Sequence, residues 1–205
     1  MSRLKRISLL IIFTLIFGII AFFHESRLGK WIDNEVYEFI YASESFITTS
    51  IMLGATKLGE VWAMVCLSLI LIAYLMLKRL RMETLFFVIV MSLSSILNPV
   101  LKNIFDRERP TLLRLIDITG FSFPSGHAMG STSYFGSIIY ILNRTDSGLS
   151  KGVLIGLAAS LILMVSTSRV YLGVHYPTDI IAGIIGGAFS IVLSTLILNN
   201  KLQST

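Results

Sequence analysis

The chain has 205 residues, 54% of them hydrophobic and 14% charged, with a mean hydropathy of +0.79; it is too apolar for an ordinary soluble domain and indicates a polytopic membrane protein. Its net charge of +5 lies in short clusters between apolar runs, where it serves to orient helices in a bilayer, so no nucleic-acid partner is expected. The single cysteine, Cys66, excludes an internal disulfide and is expected to be a packing residue.

Arg3, Lys5 and Arg6 precede the apolar run 7–23, which is expected to be an uncleaved first span because Phe22-Phe23-His24-Glu25 offers no small-residue cleavage site. Residues 24–60 form the longest non-spanning segment. In it Trp31, Ile32, Glu35, Val36, Phe39, Ile40 and Ser43 fall at helical spacing, which predicts an amphipathic helix at the membrane surface, either a lid over a site or a connector resting on lipid headgroups. Spans follow at 61–77 and 84–101, separated by a basic loop with Lys78, Arg79 and Arg81, and Asn98-Pro99 is expected to kink the second of them. Beyond a polar segment at 102–122 come spans at 126–142, 152–167 and 178–198, with Arg144 and Lys151 in another basic loop and Lys201 near the end.

Gly152/Gly156 and Gly183/Gly187 have the small-xxx-small spacing of close helix packing. No repeat or linker divides the chain, so residues 1–205 are expected to be one all-α domain: a six-span transmembrane helical bundle with an interfacial helical segment between spans one and two. Six spans put both termini and the basic loops on the cytoplasmic side of the plasma membrane. They also bring the segments holding Lys102, His127 and His175 out together on the extracytoplasmic face.

Each of those segments carries chemistry. Lys102, Arg107, Arg109 and Arg114 concentrate positive charge on the face where topology does not call for it, and an arginine fork with a lysine suits phosphate. In Phe123-Pro124-Ser125-Gly126-His127, proline and serine mark a helix start, glycine leaves room for a ligand, and the free amides of a first turn attract an anion beside an imidazole. A plain capping turn is the alternative. After Ser168-Arg169, Pro177 suits the first position of a helix and puts Asp179 in its first turn, four residues from His175. A bond from carboxylate to imidazole across that turn would fix the tautomer and free the other ring nitrogen as a nucleophile, while a cap or headgroup contact is the alternative for His175 alone.

Taken together, K-x6-R-P (Lys102, Arg109, Pro110), P-S-G-H (Pro124, Ser125, Gly126, His127) and S-R-x5-H-x3-D (Ser168, Arg169, His175, Asp179) resemble the three-part signature of the type 2 phosphatidic acid phosphatase family, the lipid phosphate phosphatases, at every specified position. The resemblance implies a phosphatase that needs no metal or other cofactor and works through a phosphohistidine. His175 would attack phosphorus, Asp179 would orient it and His127 would protonate the leaving oxygen. Lys102, Arg109, Arg169, the Ser125 hydroxyl and the Gly126 amide would hold the phosphoryl oxygens, with Pro110, Pro124 and Ser168 in support. The implied substrate is a membrane lipid phosphate, with the bilayer as the only other partner and no obligate protein partner. The chain looks most like the bacterial branch that converts phosphatidylglycerophosphate to phosphatidylglycerol, and undecaprenyl pyrophosphate is the competing substrate. A vanadate-dependent haloperoxidase has a similar anion pocket in a soluble protein, and an anion transporter would need charges near the middle of its spans.

Overall fold

The sequence's alternation of apolar runs and polar breaks becomes helices and turns, with no strand among the described residues; the computed structural model describes residues 2–111, 114–145 and 150–198. The helices are α1 (Arg3–Phe23), α2 (Arg27–Tyr41), α3 (Phe46–Leu58), α4 (Val61–Leu77), α5 (Arg81–Phe105), α6 (Gly126–Arg144), α7 (Lys151–Tyr171) and α8 (Pro177–Ile197). Each expected span falls on one of them, within a few residues at either end. Lys201 and part of the loop before Lys151 lie outside the described residues.

The segment expected to hold one interfacial helix holds two. Ser26 caps α2 by accepting from the Gly29 amide, and Ser45 starts α3 in the same way with the Thr48 amide. On α2 the apolar stripe is exposed at Trp31 and Phe39 (82% exposed at Phe39), while Asp33 on another face is only 1% exposed and docks against the bundle. That is the orientation of a helix with protein on one side and lipid on the other.

Four of the described helices, α1, α5, α7 and α8, are long and apolar enough to cross a membrane, and α3 with α4, bent by 58° at their junction, counts as a fifth when the pair is taken as one span. The six-span count is therefore not reproduced by length and composition. The exception is α6, expected as the fourth span: it is 19 residues long but carries Ser131, Thr132, Ser133 and Ser137 on buried faces. It packs against α5, α7 and α8, so protein rather than lipid surrounds it and an apolar surface is not required. Ser131 and Ser137 donate back to carbonyls of their own helix, at Ala128 and Ser133.

The α6–α8 contact is close because of glycine. A Cβ on Gly183 would lie 2.6 Å from the Ser125 carbonyl oxygen, and one on Gly187 would lie 2.7 Å from Thr132 Cβ. The matching expectation for Gly152 and Gly156 fails, since an added Cβ there meets nothing within 4 Å. Cys66 is likewise exposed on α4 rather than packed. Pro99 is accommodated inside α5, which stays helical to Phe105.

An apolar core of Leu75, Phe86, Phe87, Val90, Phe135 and Ile141 fills the end of the bundle where α5 starts and α6 finishes. The opposite end, where α5 finishes and α6 and α8 start, is polar. At that end Phe123 is fully buried, stacked on His24 at 4.8 Å and in contact with the rings of Phe17 and Phe105. This aromatic contact pins the loop before α6 to α1 and α5.

Candidate active site

The three polar clusters converge at this end around an open cleft of about 1150 Å³, whose walls include Lys102, Arg109, Gly126, His127, Arg169 and His175. Gly173, at φ 70°, supplies the left-handed residue that turns the chain between α7 and α8. The amides of Val174 and His175 both donate to the Arg169 carbonyl at 3.2 Å, so the turn sets His175 against Arg169.

Pro177 opens α8 as its first residue, and the Asp179 carboxylate reaches back to accept from the Tyr176 amide at 2.9 Å. The same oxygen, Oδ2, lies 3.3 Å from His175 Nδ1 and accepts from the Ser122 hydroxyl at 2.5 Å. The expected carboxylate–imidazole contact is thus present. On the other side of the ring, His175 Nε2 lies 3.1 Å from Arg109 Nη1. A guanidinium can only donate, so Nε2 must accept and the ring proton must sit on Nδ1, facing Asp179. Burial pushes the His175 pKa down to about 4, against the pull of Asp179, and Arg109 and Arg169 add repulsion. The imidazole is therefore neutral near pH 7, with its Nε2 lone pair on the cleft side.

Arg109 is held by three carbonyls, donating to Gly120 at 2.8 Å, Val174 at 2.9 Å and Phe121 at 3.1 Å. Lys102 Nζ donates to the Phe121 carbonyl at 2.7 Å. Arg169 is buried, donates from Nη1 to the Thr56 hydroxyl and leaves Nε without a partner. His127 Nε2 is also buried without a hydrogen bond, 3.9 Å from Glu60 Oε1. Nitrogens without a partner on two residues that line one cleft are what an incoming polar ligand would satisfy.

Ser125 is fully buried, and its hydroxyl caps α6 by accepting from the Ala128 amide. Gly126 reaches the cleft wall, backed by Asn98, whose side chain donates to the Pro124 carbonyl at 3.2 Å. Ser168 donates to the Val165 carbonyl in its own helix, and the Pro110 carbonyl accepts from Arg114 Nε; both residues brace the backbone rather than face the cleft. Among the described residues no three His, Cys, Asp or Glu side chains cluster as a metal site would require.

Sequence reasoning missed several neighbours. Ser122 and Asn98 carry no distinguishing spacing. Gly59, at the bend between α3 and α4, lies flat against the His127 ring: a Cβ there would be 2.5 Å from His127 Cδ2 and 2.7 Å from Val165 Cγ1. Arg107 stood out as surplus charge, and its buried guanidinium bonds to Asp33 and Asp179 at 2.8 and 2.7 Å.

Residues 83–203 match the PAP2 superfamily. The chain is 35% identical over 135 residues to phosphatidylglycerophosphatase B of Bacillus subtilis, covering 65% of this chain and 66% of that relative. It is 27% identical over 169 residues to an undecaprenyl-diphosphatase of Sulfolobus acidocaldarius, covering 80% of this chain and 77% of that one. The fold superposes on the crystal structure of a transmembrane PAP2-type phosphatidylglycerolphosphate phosphatase from Bacillus subtilis with a TM-score of 0.85 at 28% identity, over 94% of this chain and 96% of that one.

Proposed function

The chain belongs to the PAP2 superfamily, and from that premise we propose that it is an integral-membrane lipid phosphate phosphatase that hydrolyses phosphatidylglycerophosphate to phosphatidylglycerol and phosphate. The observation that carries this reading is the placement of His175, with Nδ1 3.3 Å from Asp179 and Nε2 3.1 Å from Arg109. The Nε2 lone pair attacks phosphorus, the bond to the leaving oxygen breaks, and His127, entering the step as the imidazolium beside the phosphate dianion, gives that oxygen its proton and is left neutral. Water then attacks the phosphohistidine, His127 takes a proton from it, and phosphate leaves with Nε2 restored. Lys102, Arg109 and Arg169 balance the charge on the transferring phosphoryl oxygens, so fixed cations do the electrostatic work and no metal is required.

The cleft runs on between α4 and α5 past Val65, Leu69, Met91 and Ile96, an apolar wall that suits acyl chains while the headgroup sits among the cations. In the proposed topology the chain is a plasma-membrane protein that crosses six times through α1, α4, α5, α6, α7 and α8, with α2 at the interface and both termini cytoplasmic. Support comes from the clustering of basic ends: Arg6 of α1 donates to the Thr195 carbonyl near the end of α8 at 2.8 Å, and Arg144 of α6 lies 3.9 Å from Glu83 of α5. The cleft lies at the other end of these helices and so on the extracytoplasmic face.

Phosphate release from pure lipids in vesicles tests the substrate. Phosphatidylglycerophosphate is expected to be turned over faster than phosphatidic acid or undecaprenyl diphosphate, at the same rate with and without EDTA. The likeness to the undecaprenyl-diphosphatase makes that lipid the second reading, and faster release from it would replace the first. Abolition by EDTA would remove the metal-free mechanism.

Gly59→Ala tests the packing behind the proton donor. A methyl group at 2.5 Å from the ring must push His127 aside, and a misplaced catalytic group costs on the order of 10²-fold in rate. Steady-state assays are expected to show kcat falling with KM little changed; wild-type kcat would show that His127 tolerates the displacement.

A further inference from the structure

We infer that Asp33 of α2 and Arg107 are a positioning pair that acts through Asp179, fixing its carboxylate for His175 and setting how strongly it holds the His175 proton. The inference rests on the phosphatase reading above. All three side chains are almost fully buried, and their contacts form a closed set. Arg107 Nη1 donates to Asp179 Oδ1 at 2.7 Å, the oxygen that His175 does not use, and Nη2 donates to Asp33 Oδ2 at 2.8 Å. Thr178, next to Asp179, donates to Asp33 from both its amide and its hydroxyl at 2.9 Å. Arg107 also donates to the Thr178 hydroxyl at 2.8 Å. Its guanidinium carbon lies 3.9 Å from the Tyr176 ring centroid, a cation–π contact beside the nucleophile.

One division of labour follows from geometry. Asp179 has two oxygens: Oδ2 takes Ser122, the Tyr176 amide and His175, while Oδ1 takes Arg107. Arg107 therefore fixes the rotation of the carboxylate and offsets part of its charge. Asp33, brought in by an exposed surface helix, in turn offsets part of the charge of Arg107. In this proposal α2, part of the segment expected as a lid or a connector, is in addition a brace tied to the catalytic turn.

The two members of the pair act on His175 with opposite sign. Other charges facing this network are Glu25, 3.4 Å from Arg107 Nε, and, around His175 itself, Arg109 and Arg169. Arg107→Gln also takes one cation from Glu25, which keeps Lys30 at 3.0 Å. Removing the cation with Arg107→Gln leaves Asp179 uncompensated, so the imidazole holds a proton more strongly and the acid limb of kcat/KM moves up by roughly one pH unit from its low wild-type position. Removing the anion with Asp33→Asn strengthens Arg107, so the limb moves down or stays below the wild-type value. Arg107→Lys keeps the charge but loses the fork, so it keeps the limb and lowers kcat.

The test is phosphate release from phosphatidylglycerophosphate vesicles between pH 3.5 and 9 for the wild type and these three variants, with inhibition by orthovanadate, a phosphate mimic, as a check on the pocket. Expected are a kcat loss of about 10²-fold in Arg107→Gln, retained vanadate inhibition, and limb shifts of opposite direction in Arg107→Gln and Asp33→Asn. An Arg107→Gln limb that coincides with the wild type's, or loss of vanadate inhibition in all three variants, overturns the positioning role and leaves only a structural one. With an active wild type these outcomes sink the pair alone; a wild type that releases no phosphate from any lipid sinks the phosphatase reading and the pair with it.

Discussion

His175→Ala is expected to abolish the phosphoenzyme and to reduce turnover by on the order of 10⁴-fold or more, the scale on which nucleophile removal acts in other covalent enzymes. Binding should survive, because Arg109 is held by the carbonyls of Gly120, Phe121 and Val174 and does not depend on the imidazole for its position. Rapid quenching with labelled substrate reads the phosphoenzyme, and vanadate inhibition reads the anion pocket. Labelled protein persisting in His175→Ala would move the nucleophile elsewhere. The wild-type pH profile carries the companion expectation. Burial holds the His175 pKa at about 4, so the lone pair is available above that value and the acid limb lies well below the ordinary imidazole range, while loss of the His127 proton sets a separate alkaline limb.

Asp179→Asn is the second large effect, again about 10⁴-fold in kcat with KM little altered. The reason is the tautomer. Asp179 accepts from Tyr176 and Ser122 and faces His175 Nδ1, whereas an asparagine can turn its NH2 toward the ring and drive the proton to Nε2. There it would meet Arg109 donor to donor, and no lone pair would remain for phosphorus. Loss of the negative charge also lowers the proton affinity of His175, so the acid limb should not rise in this variant. Retention of wild-type kcat in Asp179→Asn would show that the carboxylate does not choose the tautomer.

The parts of the site that were legible in the sequence are those written locally. Pro177, Asp179 and His175 lie within one turn, and helix-start geometry alone brings the carboxylate to the ring. The start of α6 at Ser125-Gly126 was legible for the same reason; Lys102 and Arg109 stood out, with Arg107 and Arg114, as positive charge on a face where topology does not call for it, and Arg169 through the S-R-x5-H-x3-D spacing. What was not legible depends on distance along the chain. Asp33 is separated from Arg107 by 74 positions and from Thr178 by 145, and no periodicity distinguishes a docked aspartate from a solvated one. Gly59 looks like any helix terminator until the His127 ring is found against it. Length and composition mark four or five of the described helices as spans and leave out α6, since a helix enclosed by its neighbours is free to be rich in serine. Of the two glycine pairs, only Gly183/Gly187 faces another backbone, which spacing alone does not reveal.

The contact between Arg109 and His175 Nε2 has a consequence for the enzyme at rest. The guanidinium occupies the electron pair proposed to do the chemistry, so the reactive atom is sheathed by this contact. An arriving phosphate offers Arg109 a better partner and uncovers the imidazole in the same exchange, which ties reactivity to occupancy. A neutral electrophile offers Arg109 no such partner, so the side chain proposed to capture the phosphate would also favour an anionic substrate over an uncharged one.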